Sequence, residues 1–306
     1  MALAAEQRYT SPLRYPGGKG KLAGFIKLVM LENELIGREY VEPYAGGAAV
    51  ALSLLYEDYA SHVHINDLNR SVAAFWTAVL EHTDELCARV ADTPVTVREF
   101  ARQREIQARE TVSILDLAFS TLFLNRTSRS GIITGGIIGG IKQTGPWKID
   151  ARFARDDLIR RIQKVARHRS RITVTCQDAA ELITTRLAGL PDAFLYLDPP
   201  YYVKGKGLYQ NYYTPADHAR IARLVAGIRQ PWVVSYDAAA DIRSLYGDYR
   251  AVEYDLSYSA QARYRGTELM FFRPGLHPPE VPSPANVSWK TVDRARIQRI
   301  AGTAAT

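Results

Sequence analysis

The stretch Phe194-Leu195-Tyr196-Leu197-Asp198-Pro199-Pro200-Tyr201 reads as an apolar strand that delivers an acid, two prolines and an aromatic ring. Pro199 has no N–H and both prolines have a restricted φ, so the directions of the Asp198 carboxylate and the neighbouring carbonyls are set by the backbone. A rigid acceptor cluster beside an aromatic face suits a planar molecule that carries an exocyclic amine. Taken alone, the tetrad also fits a strand-ending turn with a buried tyrosine, and the residues upstream decide between the two.

Upstream, Tyr40-Val41-Glu42-Pro43 looks like a strand end, Gly46-Gly47 a loop, and Ala48 to Tyr56 a helix. His62 to Ile65 alternates like a short strand and ends at Asn66-Asp67, and Ser71 to Leu80 has helical spacing. Strands resume at Arg171–Thr175, Ala193–Leu197, Pro231–Ser235 and Leu269–Arg273. Strands alternating with helices predict a parallel, doubly wound α/β sheet, which binds ligands at the carboxyl ends of its strands. The chemically loaded residues fall at those ends: Glu42 to Gly47, Asp67, Asp178, and Asp198 to Tyr201. The glycine turn lets backbone approach a ligand closely. An acid roughly 20 residues later, at the next strand end, is the usual partner of ribose hydroxyls. Alone, Asp67 reads as a helix cap before it reads as a ligand; with the turn before it, a nucleoside-type cofactor is the better reading.

Pro16-Gly17-Gly18-Lys19-Gly20-Lys21 resembles a phosphate loop but fails the pattern. Leu13 and Tyr15 stand where its first glycine belongs, and neither lysine is followed by Ser or Thr. This argues against a kinase or ATPase and leaves a flexible basic turn or a loop whose Lys19 meets a carboxylate. The 306 residues are 47% hydrophobic and 23% charged, with net charge +7, which fits a globular protein with a sizeable core. From Arg98 to Arg171 there are 16 Lys/Arg against 7 Asp/Glu, and the rest of the chain has 23 against 25. One internal block therefore holds the whole basic excess. It reads either as solvated helix faces or as an inserted module that touches phosphates. Within it, Val97–Glu110, Ile114–Leu124 and Arg155–His168 are expected helices, while Asn125 to Gly131 and the glycine-rich Ile132 to Gly145 are expected loop or short hairpin. Cys87 and Cys176 have no metal-type spacing and fit a reducing cytoplasm. The N-terminal stretch has no apolar core of signal-peptide length, and the most apolar glycine-rich run, Gly131 to Ile141, is too short to cross a bilayer. The proline-rich segment from Pro274 is expected to be loosely held.

These motifs together resemble the Dam-like D12 class of DNA adenine-N6 methyltransferases, in the α order of cofactor loop, basic insert and DPPY. The resemblance rests on Leu13-Arg14-Tyr15-Pro16-Gly17-Gly18-Lys19, Glu42-Pro43-Tyr44-Ala45-Gly46-Gly47-Ala48, Asn66-Asp67-Leu68-Asn69, Leu124-Asn125-Arg126, Asp178, and the exact tetrad at Asp198–Tyr201. Tyr44 replaces the family's usual Phe and Ala48 its last glycine.

The resemblance implies a Rossmann-like methyltransferase sheet with an inserted, mainly helical target-recognition region. Residues 1–90 and 170–275 would form the catalytic domain, 91–169 the insert and 276–306 a tail. It implies a site-specific transfer of methyl from S-adenosylmethionine, leaving S-adenosylhomocysteine, to N6 of a flipped-out adenine in double-stranded DNA, without a metal. Tyr15, Lys19, Glu42, Pro43, Tyr44, Gly46, Asp67, Asp178 and Asp198 would border the cofactor; Asp198, Pro199, Pro200 and Tyr201 would be catalytic. In the insert, Asn125, Arg126, Arg129, Lys142 and Lys148 would contact DNA, with Arg160, Arg161 and Arg167 on phosphates or in solvent. A cytoplasmic protein without a membrane partner is expected; a cognate restriction enzyme and a monomeric or homodimeric state both stay open. The competing readings are methylation of another amine (cytosine N4 or RNA adenine) and a non-enzymatic nucleic-acid-binding module.

Overall fold

The computed structural model describes residues 11–14, 19–202, 213–258 and 264–303. Seven strands form one sheet in the order β3-β2-β1-β4-β5-β7-β6. They are β1 (Tyr40–Glu42), β2 (Val63–Asn66), β3 (Ile172–Thr175), β4 (Phe194–Leu197), β5 (Trp232–Asp237), β6 (Arg250–Tyr258) and β7 (Tyr264–Phe272). The first five run parallel, and β7 lies antiparallel between β5 and β6. The chain order reverses between β1 and β4, whose registers pair Tyr40 with Phe194 and Val41 with Leu195. Such a switch point opens a crevice at the carboxyl ends of the two strands. The glycine turn and the DPPY tetrad leave the sheet there, side by side.

Side chains alternate between two cores, one on each face of the sheet. Tyr40, Phe194, Tyr196, Val233, Met270 and Phe272 face one core; Val41, Leu195, Leu197, Trp232, Val234, Leu269 and Phe271 face the other. Strand β6, absent from the sequence reading, is the edge strand; it buries Tyr254 and Leu256 and exposes Glu253 and Asp255.

Helices α1 (Ala23–Glu32), α2 (Ala49–Tyr56) and α3 (Arg70–Glu81) cover the first face. They are followed by α4 (Thr83–Asp92), α5 (Val97–Ala108), α6 (Ile114–Thr127) and α7 (Arg155–Ala166). Helices α8 (Ala179–Thr185), α9 (Pro215–Ala226) and α10 (Ala240–Leu245) cover the second face. The helical part of the basic block is no detached module: Phe119, Phe123, Leu158 and Ile162 share the first core with Phe75 and Trp76 of α3. Helix α6 also runs past the expected end at Leu124 and takes Asn125 and Arg126 into its last turn.

The tail departs from the loose segment expected. Helix α11 (Trp289–Thr303) packs on α1, burying Val292. Arg299 donates to the Leu31 carbonyl and pairs with Glu34 at 3.0 Å. Asn33 clasps the backbone of His277 with both ends of its amide, at 2.9 and 2.7 Å. The fit depends on Gly24 in α1, where a Cβ would stand 2.9 Å from the Val287 carbonyl oxygen. Gly24→Ala would gain about 1 kcal/mol of helix propensity but force overpacking that costs about 1–3 kcal/mol. The expected outcome is a lower unfolding midpoint and faster proteolysis of the C-terminal segment; a raised midpoint would show that α11 does not depend on this contact.

Candidate active site

Period-2 alternation decides which polar residues meet. Continuing the first face past its apolar positions brings Glu42 after Tyr40, Asp198 after Tyr196, Ser235 after Val233, and Glu268 before Met270 to one side of the crevice. Lys19, from a short turn of helix at Lys19–Leu22, enters this group. Its Nζ lies 3.0 Å from Asp198 Oδ1 and 2.9 Å from Glu268 Oε2, with the Tyr201 ring centroid at 5.3 Å. Burial by itself would lower the Lys19 pKa, but Asp198 above all, with Tyr201, Tyr254 and Glu268, carries it well above the ordinary lysine value. The lysine is therefore a fixed cation.

Ser235 Oγ donates to Asp198 Oδ1 at 2.7 Å and meets the Tyr196 hydroxyl at 2.8 Å. A serine has one proton, so Tyr196 donates to Ser235 and a directed chain ends on the carboxylate. The Ser235 bond and the Lys19 contact both fall on Oδ1, and among the described residues Oδ2 accepts no hydrogen bond. Pro199 and Tyr201 are buried and Pro200 half-buried.

The glycine turn is held from two sides. Gly46 adopts a positive φ of 46°, donates its N–H to Asp67 Oδ2 at 2.9 Å, and accepts the Trp76 indole N–H at 2.9 Å. Ala48 also has φ 46°, in the left-handed region that glycine enters without steric cost. Asp67 Oδ1 accepts from Asn69 N at 2.9 Å, so each oxygen holds one backbone amide. Asn66 bonds the carbonyls of Pro43 and Gln177 and accepts from Thr175 Oγ1 and Gln177 N, tying the ends of β1, β2 and β3 together. Tyr44 and Tyr213 share a hydroxyl contact of 3.1 Å at the mouth of the crevice. Asp178 caps α8 through Ala180 N at 3.0 Å. Glu42 is buried beneath the turn, where one oxygen takes the Tyr40 hydroxyl and Ala51 N at 2.9 and 3.0 Å. Tyr15 lies outside the described residues.

The profile of the family described as D12 class N6 adenine-specific DNA methyltransferase matches residues 15–260, from just before Lys19 to just beyond β6. The chain belongs to this family. Among curated proteins no match is found. The sheet is thus that of a Rossmann-like methyltransferase, with DNA as the family's substrate. Among the described residues, no group of three or more acids, histidines or cysteines is placed to hold a metal, and no helix is long and apolar enough to cross a membrane.

In this D12-class methyltransferase the Leu124-Asn125-Arg126 segment sits inside the protein rather than on the DNA surface expected. Asn125 is 2% exposed; its Oδ1 accepts Arg14 N at 2.8 Å, and its Nδ2 reaches the carbonyls of Arg14 and Gly131 at 2.6 and 2.7 Å. The buried Arg126 guanidinium donates to the Pro12 carbonyl, and burial, with Arg161 and Arg14 nearby, lowers its pKa. Arg161 bonds the Ser11 carbonyl and Asp157 instead of facing solvent. Three insert side chains therefore clamp residues 11–14, the approach to Lys19. Arg129 and Lys142 are exposed, while Lys148 folds back onto the carbonyls of Gln143 and Gly145. Sequence reasoning gave no role to Ser235, Glu268 or Tyr196, and quoted Asn66 only as part of the Asn66–Asn69 motif. The available signal was a lone acid or hydroxyl inside an apolar strand, as in Trp232–Asp237 and Thr267–Phe272.

Asn125→Ala strands two Arg14 backbone groups and the Gly131 carbonyl in the interior. At about 1–3 kcal/mol for each buried group left unpaired, with partial relaxation, urea unfolding should show a loss of about 2–4 kcal/mol. A loss below about 0.5 kcal/mol, the size of an ordinary surface change, would show that the clamp is ornamental.

Burial pushes three acids up: Glu42 to about 8, against the Tyr40 and Ala51 hydrogen bonds; Glu268 to about 7, against Lys19; Asp67 to about 6, against its two backbone amides. Each binds its proton more tightly folded than unfolded. The stability this linkage adds is full below the unfolded carboxyl pKa of about 4 and is lost as pH rises through about 6, 7 and 8. Glu42→Gln keeps an acceptor oxygen and removes one titration. Its unfolding free energy should fall less than that of the wild type between about pH 5 and pH 8; an unchanged slope would mean that Glu42 is ionised throughout.

Proposed function

We propose that this chain transfers the methyl group of S-adenosylmethionine to N6 of an adenine extruded from double-stranded DNA, at a specific sequence. The observation that carries the reading is Asp198 at the switch point, with Oδ1 held by Lys19 and Ser235 and Oδ2 left without a hydrogen bond among the described residues. The donor set around it fits the cofactor. Each Asp67 oxygen spends one lone pair on a backbone amide and keeps another for a ribose hydroxyl. Gly46 and Gly47 bring backbone close, Tyr44 supplies an aromatic wall, and Asp178 stands at the next strand end.

The cofactor supplies an electrophilic methyl group on a sulfonium centre. An adenine amine conjugated to its ring is a poor nucleophile. In this reading Asp198 Oδ2 and the Pro199 carbonyl accept its two N–H bonds and localise the nitrogen lone pair toward the methyl group. Lys19 and Glu268 act through Asp198: the cation and the hydroxyl chain fix the carboxylate, so little reorganisation remains at the moment of attack. Lys19 thus serves as a counter-charge to the two acids, not as a phosphate ligand. N6 sheds one proton on methylation, and the half-buried Asp198 offers its first acceptor. The target base must leave the stack for its amine to arrive here, and Tyr201 and Tyr44 offer ring faces to receive it.

Asp198→Ala is the test. Single-turnover transfer from labelled S-adenosylmethionine to adenine-containing duplex should fall at least about a hundredfold, as on removal of a preorganised transition-state partner. DNA binding and the thermal shift produced by S-adenosylmethionine should persist. Near-normal transfer, or a wild type without any cofactor-induced thermal shift, would overturn the reading.

A further inference from the structure

The basic block contains a cleft of about 510 Å³, lined by Arg14, Arg129, Ile132, Ile138, Trp147 and Arg152 among others. We propose that it takes a second unstacked nucleotide of the same DNA, one that flanks the methylated adenine. The proposal rests on the DNA methyltransferase reading above and deepens it.

Three features select the ligand. The first is charge. Arg129 and Arg152 are exposed, and among the described residues neither is paired with a carboxylate, so the rim of the cleft suits an anion. The second is the planar apolar wall. Trp147 is 64% exposed, with the Arg152 guanidinium 5.6 Å above its ring centroid, and Ile132 and Ile138 complete the lining. A phosphate alone has no use for an exposed indole; a base with its phosphate uses both the ring face and the guanidinium groups. The third is size, since the volume suits a single small planar ligand and not a duplex.

Position then says which nucleotide. The backbone of Arg14 is clamped by Asn125, and Lys19, which holds Asp198, is five residues further on. Five residues span at most about 18 Å. With the reach of the Arg14 and Lys19 side chains added, and at about 3.4 Å per base step along a strand, the cleft lies within about one helical turn of the target adenine. A nucleotide captured here would be read at a fixed offset from the methylated base, which makes the cleft a determinant of the recognised sequence.

The test uses the full-length protein, Trp147→Ala, and the double variant Arg129→Gln/Arg152→Gln. All three side chains are exposed, so folding is not at stake. Sequencing of plasmid DNA methylated by the wild type defines the site. Duplexes carrying 2-aminopurine at the target adenine, or at each position within about one helical turn on either side, then report unstacking by fluorescence. The expected result is a response at the target and at one flanking position. Trp147→Ala should lose the flanking response, keep the target response, and relax methylation at that position, with affinity lower by roughly tenfold. The double variant should show the same loss with a shallower salt dependence. The proposal is overturned if no flanking position responds in the wild type, or if the flanking response survives Trp147→Ala. An equal loss of affinity on all sequences in the double variant, with Trp147→Ala unaffected, would reduce the cleft to a phosphate contact and overturn it as well. A wild type that methylates no adenine and unstacks none would instead remove the functional reading itself.

Discussion

A buried ammonium group is tolerable only where carboxylates meet it, and the Lys19 ammonium meets two. Asp198 follows β4, Glu268 lies in β7, and Lys19 comes from the turn before α1, so one ion cluster joins three distant parts of the chain. The antiparallel insertion of β7 beside β5 is what places Glu268 there, one strand from Ser235 and two from Asp198. The arrangement orders the carboxylate before any substrate arrives. It also explains why the glycine-rich segment before Lys19 is no phosphate loop: its lysine is already committed to acids.

The same logic governs the insert. Its helices share the core that covers one face of the sheet, and its last helical turn grips residues 11–14 through Asn125 and Arg126, aided by Arg161 from α7. The basic block is therefore mechanically continuous with the segment that carries Lys19. In the turns after α6, Arg129, Lys142 and Arg152 face outward, as do Arg160 and Lys164 on α7. Buried side chains hold the frame and the loop carries the reading surface, a division common to binding sites built on rigid scaffolds.

Several acids serve two ends. Asp67 stitches the glycine turn to the start of α3, and Glu42 ties the end of β1 to the first turn of α2 through the Ala51 amide. Acids buried this way are held near or above neutrality in pKa. Their cost is sustained by packing elsewhere, as expected where a site needs charge in a sparsely solvated place.

The sequence by itself determined the alternation of strands and helices, the glycine turn, the acid after β2, and the DPPY tetrad. These signals are local: periodicity, backbone restriction and turn chemistry act over a few residues. It also marked the basic block, because charge adds up without reference to folding. Tertiary structure alone decided the rest. Strand order put Ser235 and Glu268 beside Asp198, although nothing within β5 or β7 says which neighbours their polar residues will meet. Packing carried Asn125 and Arg126 inward, because α6 continued one turn past the point where its polar residues implied a loop, and the buried backbone of residues 11–14 needed partners. The tail, polar and proline-rich in sequence, folded as α11 because α1 offered it a glycine-flattened surface and two hydrogen-bonding clasps. Burial and partner choice are properties of the whole chain, and no window of neighbouring residues contains them.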